Sequence, residues 1–417
     1  MIRSREATPA QGASELLAGV RFAVDGGRSW LLVGLTVTSV YLAWTLLTLM
    51  HGSVQDFIHV GRAFVARSQT SSVISGYAGY RYDGEIGFDG QFMFFIGIDP
   101  VNARYYVDYP AYRYTRILYP ILAGTLGLHQ PDLVADALIA VNLAMIALGV
   151  CVLGAWLRRR GFSAWLAAVY GFYPGVFVTL QRDTSEIMAN SLAIVAIYLF
   201  DHGPARWRLV LSAAFFSLGV LTRETTLVFA GVWGLGVLLG GEGELKARIE
   251  ANWRRFVGFV AIAAGPFLAF KVFLLVWLGS LGLGGVLSPI PFSGIHYLIR
   301  HEVDQEQLRT IVVPALLCLA AAIYAIFKGI RRVEVWSLLA TAIFYTAFLA
   351  PGSLDDLSSS GRVTVPVALA AVVALPCFPQ GTRAWFWAVA ALWMVPMIYW
   401  ILIPVEGGLQ DLVVHHL

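Results

Sequence analysis

Long apolar runs alternate with short polar breaks along most of this chain. A bilayer crossing needs about 20 mainly apolar residues. On that measure the pattern predicts about eleven transmembrane helices, near 30–50, 133–156, 163–180, 187–200, 207–221, 225–240, 256–278, 311–328, 335–350, 362–378 and 385–405. Several runs are short, so they must be buried against neighbours or extended by their polar ends. One break is long: residues 51–132, rich in Tyr, Gly and Asp, form a first loop whose aromatics argue for order rather than a linker. Within it Ile117–Leu128 is apolar but short and contains Pro120, which predicts a half-helix at the interface instead of a crossing. No internal repeat is visible.

Basic residues punctuate these runs. Arg158–Arg160, Arg206 with Arg208, Lys246 to Arg255, and Lys328 to Arg332 all fall on the cytoplasmic side if the N-terminus does too. The alternation closes only if Ile117–Leu128 does not cross. The opposite side then receives the long loop, the turns Gln181–Glu186 and Thr222–Thr225, a loop near 279–310 and another at Pro351–Arg362. Composition agrees with this class. Of 417 residues 58% are hydrophobic and 13% charged, against about 25% charged in soluble domains. A net charge of +3, dispersed, excludes a nucleic-acid partner. Cys151, Cys318 and Cys377 lie in apolar runs with no CxxC pair, so neither a disulfide framework nor a zinc site is expected. The run from Trp30 to Met50 is too long for a signal-peptide core and reads as a retained first helix.

Polar groups able to do chemistry gather on the outer side. In the first loop stands Phe88-Asp89-Gly90-Gln91. Asp89 precedes an apolar stretch, so it reads either as a helix N-cap or as a carboxylate that takes a proton from an acceptor hydroxyl. Gly90 permits close approach of backbone or substrate. Asp83, Glu85 and Asp89 carry carboxylates that suit a divalent cation, but they lack the later ligands of a calcium loop and read rather as solvated loop acids. The turn Gln181-Arg182-Asp183-Thr184-Ser185-Glu186 and the next, Arg223-Glu224-Thr225, each combine Arg with Glu between apolar helices. Charges there must be paired or face a cavity. Either Arg182 pairs locally with Asp183 or Glu186, or the two turns share a polar cavity. Arg362 opens an apolar run after Ser353–Gly361. It reads as a phosphate clamp, through its planar donor fork, or as an interfacial snorkelling side chain. Tyr112-Arg113-Tyr114-Thr115-Arg116 adds basic and aromatic groups. His296 and His301 read as structural or solvated, and Lys271, inside an apolar run, must face a cavity or snorkel.

The order of these elements is specific: one helix, an outer loop with Phe88-Asp89-Gly90-Gln91, then Arg116-Ile117-Leu118-Tyr119-Pro120, Tyr173-Pro174-Gly175 leading to Ser185-Glu186, and Leu221-Thr222-Arg223. It resembles the GT-C superfamily of membrane glycosyltransferases, in particular the glycosylphosphatidylinositol mannosyltransferase branch and its bacterial relatives, over about the first 225 residues. Phe88 stands where that branch has Trp. The resemblance implies an all-α polytopic membrane protein with a long first extracytoplasmic loop carrying short interfacial helices. Its parts would be a cytoplasmic N-terminus (1–29), a core module (30–240, outer loop 51–132) and a variable C-terminal transmembrane module (241–417). It further implies a polyprenyl-phosphate-linked sugar donor lying in the membrane lipid, a glycan, lipid or protein acceptor, and inverting transfer on the non-cytoplasmic side, while arginine-heavy basic usage favours a bacterial cytoplasmic membrane. Asp89 matches the loop aspartate presumed to be the base, and Glu186 the Ser-Glu element. Arg362, Arg223, Arg182, Arg116, Gln91 and Glu224 are then the groups expected to hold donor and phosphate. With arginine supplying the positive charge, no cofactor is required. Two other classes compete: a transporter or flippase of lipid-linked sugar, which predicts broken helices and inverted repeats, and a non-enzymatic assembly subunit, which predicts dispensable outer acids.

Overall fold

A computed structural model describes residues 27–67, 70–282, 288, 290–300, 307–353 and 357–402. Most of the expected N-terminal segment 1–29, together with His301, Asp355 and Asp356, lies outside the described residues. Among the described residues every regular element is helical, and the only bridges are isolated ones from Val60 to Tyr82 and to Gly87.

Four helices among the described residues are long and apolar enough to cross a membrane: Ser29–His51 (α1), Pro131–Arg159, Leu245–Leu278 and the stretch Leu308–Phe327. Between the first two, the outer loop folds into short pieces, of which three matter here: Gly90–Ile98 (α2), Pro110–Tyr114 (α3) and Leu118–Leu126 (α4). At nine residues α4 spans roughly 14 Å, at 1.5 Å per residue, and cannot cross a bilayer. Pro131–Arg159 is α5. The predicted run 163–180 is not one helix. Tyr173 precedes Pro174 and takes an extended conformation (ψ 133°), as a residue before proline prefers, so a new helix, Pro174–Gln181 (α6), starts there. Then follow Glu186–His202 (α7), Arg208–Thr222 (α8), Leu227–Leu238 (α9) and Leu245–Leu278 (α10). The last set is Val313–Phe327 (α11), Val333–Ala347 (α12), Leu357–Val363 (α13), Val365–Ala374 (α14) and Ala384–Leu402 (α15). The run 362–378 is likewise divided, at Thr364 before Pro366.

One core joins α1, α5 to α9, α11, α12 and α14, and a second lies under the outer loop around Phe92–Ile96, Tyr106 and Tyr119. Exposed leucines along α1 and Leu268, Val272, Phe273 and Val276 on α10 face outward, the surface an apolar solvent would cover. Charge is sorted by helix end. Arg160 pairs with Asp201 at 2.5 Å and Glu334 at 2.7 Å, tying the C-termini of α5 and α7 to the N-terminus of α12. Glu186 stands at the opposite end of the 17-residue α7, roughly 25 Å away at 1.5 Å per residue. The functional candidates gather at that second end. Lys271 points inward there, its Nζ donating to Thr115 Oγ1 at 2.7 Å and Leu281 O at 2.6 Å.

Candidate functional site

The outer loop is fastened before it presents any chemistry. His59, in the left-handed region (φ 55°), places Nδ1 2.9 Å from Asp83 Oδ2 and Nε2 3.2 Å from Gln181 O, while its own carbonyl accepts from Phe88 N at 2.9 Å. Gln91 spends its amide on the same loop: Oε1 accepts from Gly61 N at 2.9 Å and Nε2 donates to Ile86 O at 2.7 Å. Phe88 lies under the guanidinium of Arg182, 3.4 Å from the ring centre. Gly90 meets the main chain of the turn, since a Cβ there would overlap Arg182 O. The close approach that Gly90 was expected to permit is therefore made by protein backbone.

Asp89 occupies the N-cap position of α2, yet its side chain makes no cap bond. Its carboxylate turns instead to two guanidiniums, Arg113 Nη1 at 3.0 Å on Oδ1 and Arg362 Nη2 at 3.1 Å on Oδ2. The N-cap reading of Asp89 is thereby set aside. Burial by itself would raise the pKa of this carboxyl. The charges of Arg113 and Arg362, with Arg116 behind them, outweigh burial and hold it far below the usual carboxylate range.

Arg113 is in turn forked by Asp108, with Nε–Oδ1 and Nη2–Oδ2 both 2.7 Å, and lies over the Phe92 ring at 4.2 Å. Arg362 reaches Glu186 Oε1 at 3.9 Å, and Glu186 is held mainly by Arg223 at 2.5 Å. Arg116 grips Glu224 at 3.1 and 3.3 Å. The turns 181–186 and 223–225 thus meet through Glu186 and Arg223. Glu186 is met by arginines from other elements, and Arg182 stacks on Phe88. Four arginines (113, 116, 223 and 362) interleave with four carboxylates (89, 108, 186 and 224), a pattern in which every buried charge touches an opposite one.

Each proline-containing motif helps to aim this cluster. Tyr173 OH meets Thr364 Oγ1 at 2.5 Å, and a Cβ on Gly175 would overlap Gly361 O, so α6 and α13 touch backbone to backbone beside Arg362. Tyr119 OH accepts from Asn142 Nδ2 at 2.7 Å, and the same amide reaches Thr184 O at 3.3 Å, fixing the 181–186 turn against α4 and α5. Asp183 is fully buried in that turn, and burial pushes its carboxyl well above the usual range.

A cavity of about 1080 Å³ opens over the cluster. Among the described residues, Arg104, Arg113, Arg116, Arg223 and Arg362 line it against only Asp89 and Asp108, with Phe92, Tyr112, Tyr105, Tyr109 and Trp277 as its apolar part. Both acids are reachable, with 29% of the Asp89 side chain and 23% of that of Asp108 open. Of the residues expected in the site, Asp89, Arg116, Arg223 and Arg362 line the cavity. Gln91 lines it too, with its amide committed to the loop, while Glu186, Glu224 and Arg182 stand behind it. Asp83, Glu85 and Asp89 do not converge: they meet His59, Arg62 and the Arg113–Arg362 pair. Among the described residues no group of three or more His, Cys, Asp or Glu side chains is placed to hold a metal ion.

Sequence reasoning reads Arg113 only among the basic and aromatic groups of Tyr112–Arg116 and misses its place in the site. Its signal is the three-residue spacing to Arg116 after Pro110, which keeps the two guanidiniums on one side. Asp108 has no local signal. Comparison with protein-family models, with curated proteins and with solved structures gave no match.

Proposed function

We propose that this chain is a GT-C-type membrane glycosyltransferase that moves a sugar from a polyprenyl-phosphate donor to an acceptor hydroxyl at the outer face of the membrane. One observation carries the reading. Arg113, Arg116, Arg223 and Arg362, from widely separated parts of the chain, surround a reachable carboxylate in a single large cavity. An arginine fork matches phosphate oxygens, and an apolar wall with Trp277 and Tyr112 suits the first isoprene units. The volume is at the upper end for a small-molecule site, enough for sugar, phosphate and the acceptor's reacting end. In this reading the four long helices and the five shorter apolar ones, with α7 and the broken stretch 164–181, make about eleven crossings, with the Arg158–Arg160 end cytoplasmic.

The chemistry is a single displacement. The acceptor oxygen forms a bond to the anomeric carbon on the face opposite the phosphate, and the bond from that carbon to the phosphate oxygen breaks, so configuration inverts. Polyprenyl phosphate leaves with the electron pair, its growing charge met by guanidiniums already in place. The acceptor proton passes to Asp89. Glu186 and Glu224 act behind the cavity, holding Arg223 and Arg116 in position.

The test is donor consumption by the purified chain in nanodiscs, with radiolabelled polyprenyl-phosphate sugars and a membrane extract as acceptor source. Release of polyprenyl phosphate by wild type and its loss in Asp89→Asn are expected. A wild-type protein that consumes no donor from a panel of such sugars would overturn the reading.

A further inference from the structure

Asp89 is engaged at both carboxylate oxygens, by Arg113 at 3.0 Å and Arg362 at 3.1 Å. The two arginines that line the cavity as its best anion ligands are therefore already neutralised by the group meant to act as base. A carboxylate so held is a poor proton acceptor, because an effective base sits near the working pH. It is also a competitor, because phosphate oxygens need the same guanidinium edges. Arg113 has a second carboxylate, Asp108, and Arg362 a second one, Glu186, at 3.9 Å. Both cations can thus turn away from Asp89 without becoming uncompensated, a cost that would otherwise forbid the movement.

We propose that Asp89 is the resident counter-anion of the phosphate site, and that a phosphate ester entering the cavity takes Arg113 and Arg362 from it. Donor binding then frees the carboxylate for the acceptor. No bond is made or broken in this exchange. One oxyanion replaces another on the two guanidiniums, and Asp89 stays ionised throughout. Arg113 is accordingly a phosphate ligand and the holder of Asp89 in the empty site, and the donor binds before the acceptor is activated. In naming Asp89 as base this rests on the glycosyltransferase reading; the competition itself does not.

The exchange makes an unusual demand: removing the charge of Asp89 must strengthen phosphate binding. Affinity is measured by calorimetry in detergent for a C10 prenyl phosphate, for inorganic phosphate and for the uncharged C10 prenyl alcohol. Asp89→Asn should bind prenyl phosphate about tenfold tighter than wild type, the scale of one charged hydrogen-bond partner removed from competition, with prenyl alcohol unchanged. Tightening of inorganic phosphate as well would show that the site reads the phosphate group. Tightening of prenyl phosphate alone would show that it also reads the chain. Either supports the exchange. Equal or weaker prenyl phosphate binding, or equal tightening of the alcohol, overturns it.

Wild type provides a readout that needs no variant. Prenyl phosphate, and not the alcohol, should shift a carboxylate stretch in difference infrared spectra, and the absence of any shift overturns the exchange. A protein that shows the exchange yet transfers no sugar loses the glycosyltransferase reading alone. One that transfers sugar without the exchange keeps that reading and loses this one.

Discussion

Arg362 and Asp89 stand 273 residues apart in the chain and meet at 3.1 Å across the mouth of one cavity. That ion pair joins the first outer loop to the C-terminal helices and sets the electrostatics of the site.

Arg362→Ala should weaken prenyl phosphate binding by about 10-fold or more, the scale of one charge-assisted hydrogen bond. Arg362→Lys should recover only part of it, because an ammonium lacks the planar fork that holds Glu186 and a phosphate oxygen together. Calorimetry of both variants checks this, and full recovery by lysine would remove the fork from the explanation.

Glu186→Gln should cost about 3–5 kcal/mol of stability, the range for breaking one side of a buried ion pair. Glu186 is 1% exposed and faces Arg223 at 2.5 Å, so the variant strands a buried guanidinium. Thermal unfolding in detergent reads the loss. A melting temperature indistinguishable from that of wild type would show that solvent reaches Arg223 and the pair carries little.

The backbone approach beside Arg362 is testable by one methyl group. Gly175→Ala places a Cβ on Gly361 O, so α13 must move, at a cost of about 1–3 kcal/mol as for other overpacked sites. Prenyl phosphate affinity should fall together with stability, since Arg362 follows Gly361 directly. A drop in stability with unchanged affinity would show that Arg362 adjusts independently of its helix.

Asp89 also fixes a pH dependence. Its folded-state pKa is depressed, with burial opposed and outweighed by Arg113 and Arg362. A depressed carboxylate contributes stability that is fully present above its unfolded pKa, near about 4, and is lost only as pH falls through the lower folded value. The melting-temperature difference between wild type and Asp89→Asn should therefore stay constant from about pH 5 to 8. A midpoint inside that window would mean that Asp89 is not clamped as described.

Much of this molecule was legible along the chain, and the reason is local. Apolar runs declare helices because burying polar backbone without hydrogen bonds is too costly, so the helices at 29–51, 131–159 and 308–327 lie close to the predicted runs. The shortness of Leu118–Leu126 was readable from Pro120 and run length. Asp89, Arg223 and Arg362 stood out because charged residues beside apolar runs need partners. The break at Tyr173 was also written locally, in Pro174, but a continuous hydropathy run hid it.

What the sequence could not decide was who answers whom. A helix cap was one of two readings of Asp89 because cap propensity depends only on neighbours, whereas its carboxylate is claimed by Arg113 and Arg362. Glu186 read either as a local partner for Arg182 or as part of a polar cavity shared by two turns, and Arg223, from the second turn, takes it. Gln91 looked like a substrate ligand and is spent on the loop backbone. Hydropathy and turn chemistry act over a few residues and survive in the order of the chain. Ion pairing in a low-dielectric interior is settled by which charges the packed helices bring within about 3–4 Å, and only the tertiary structure brings them there.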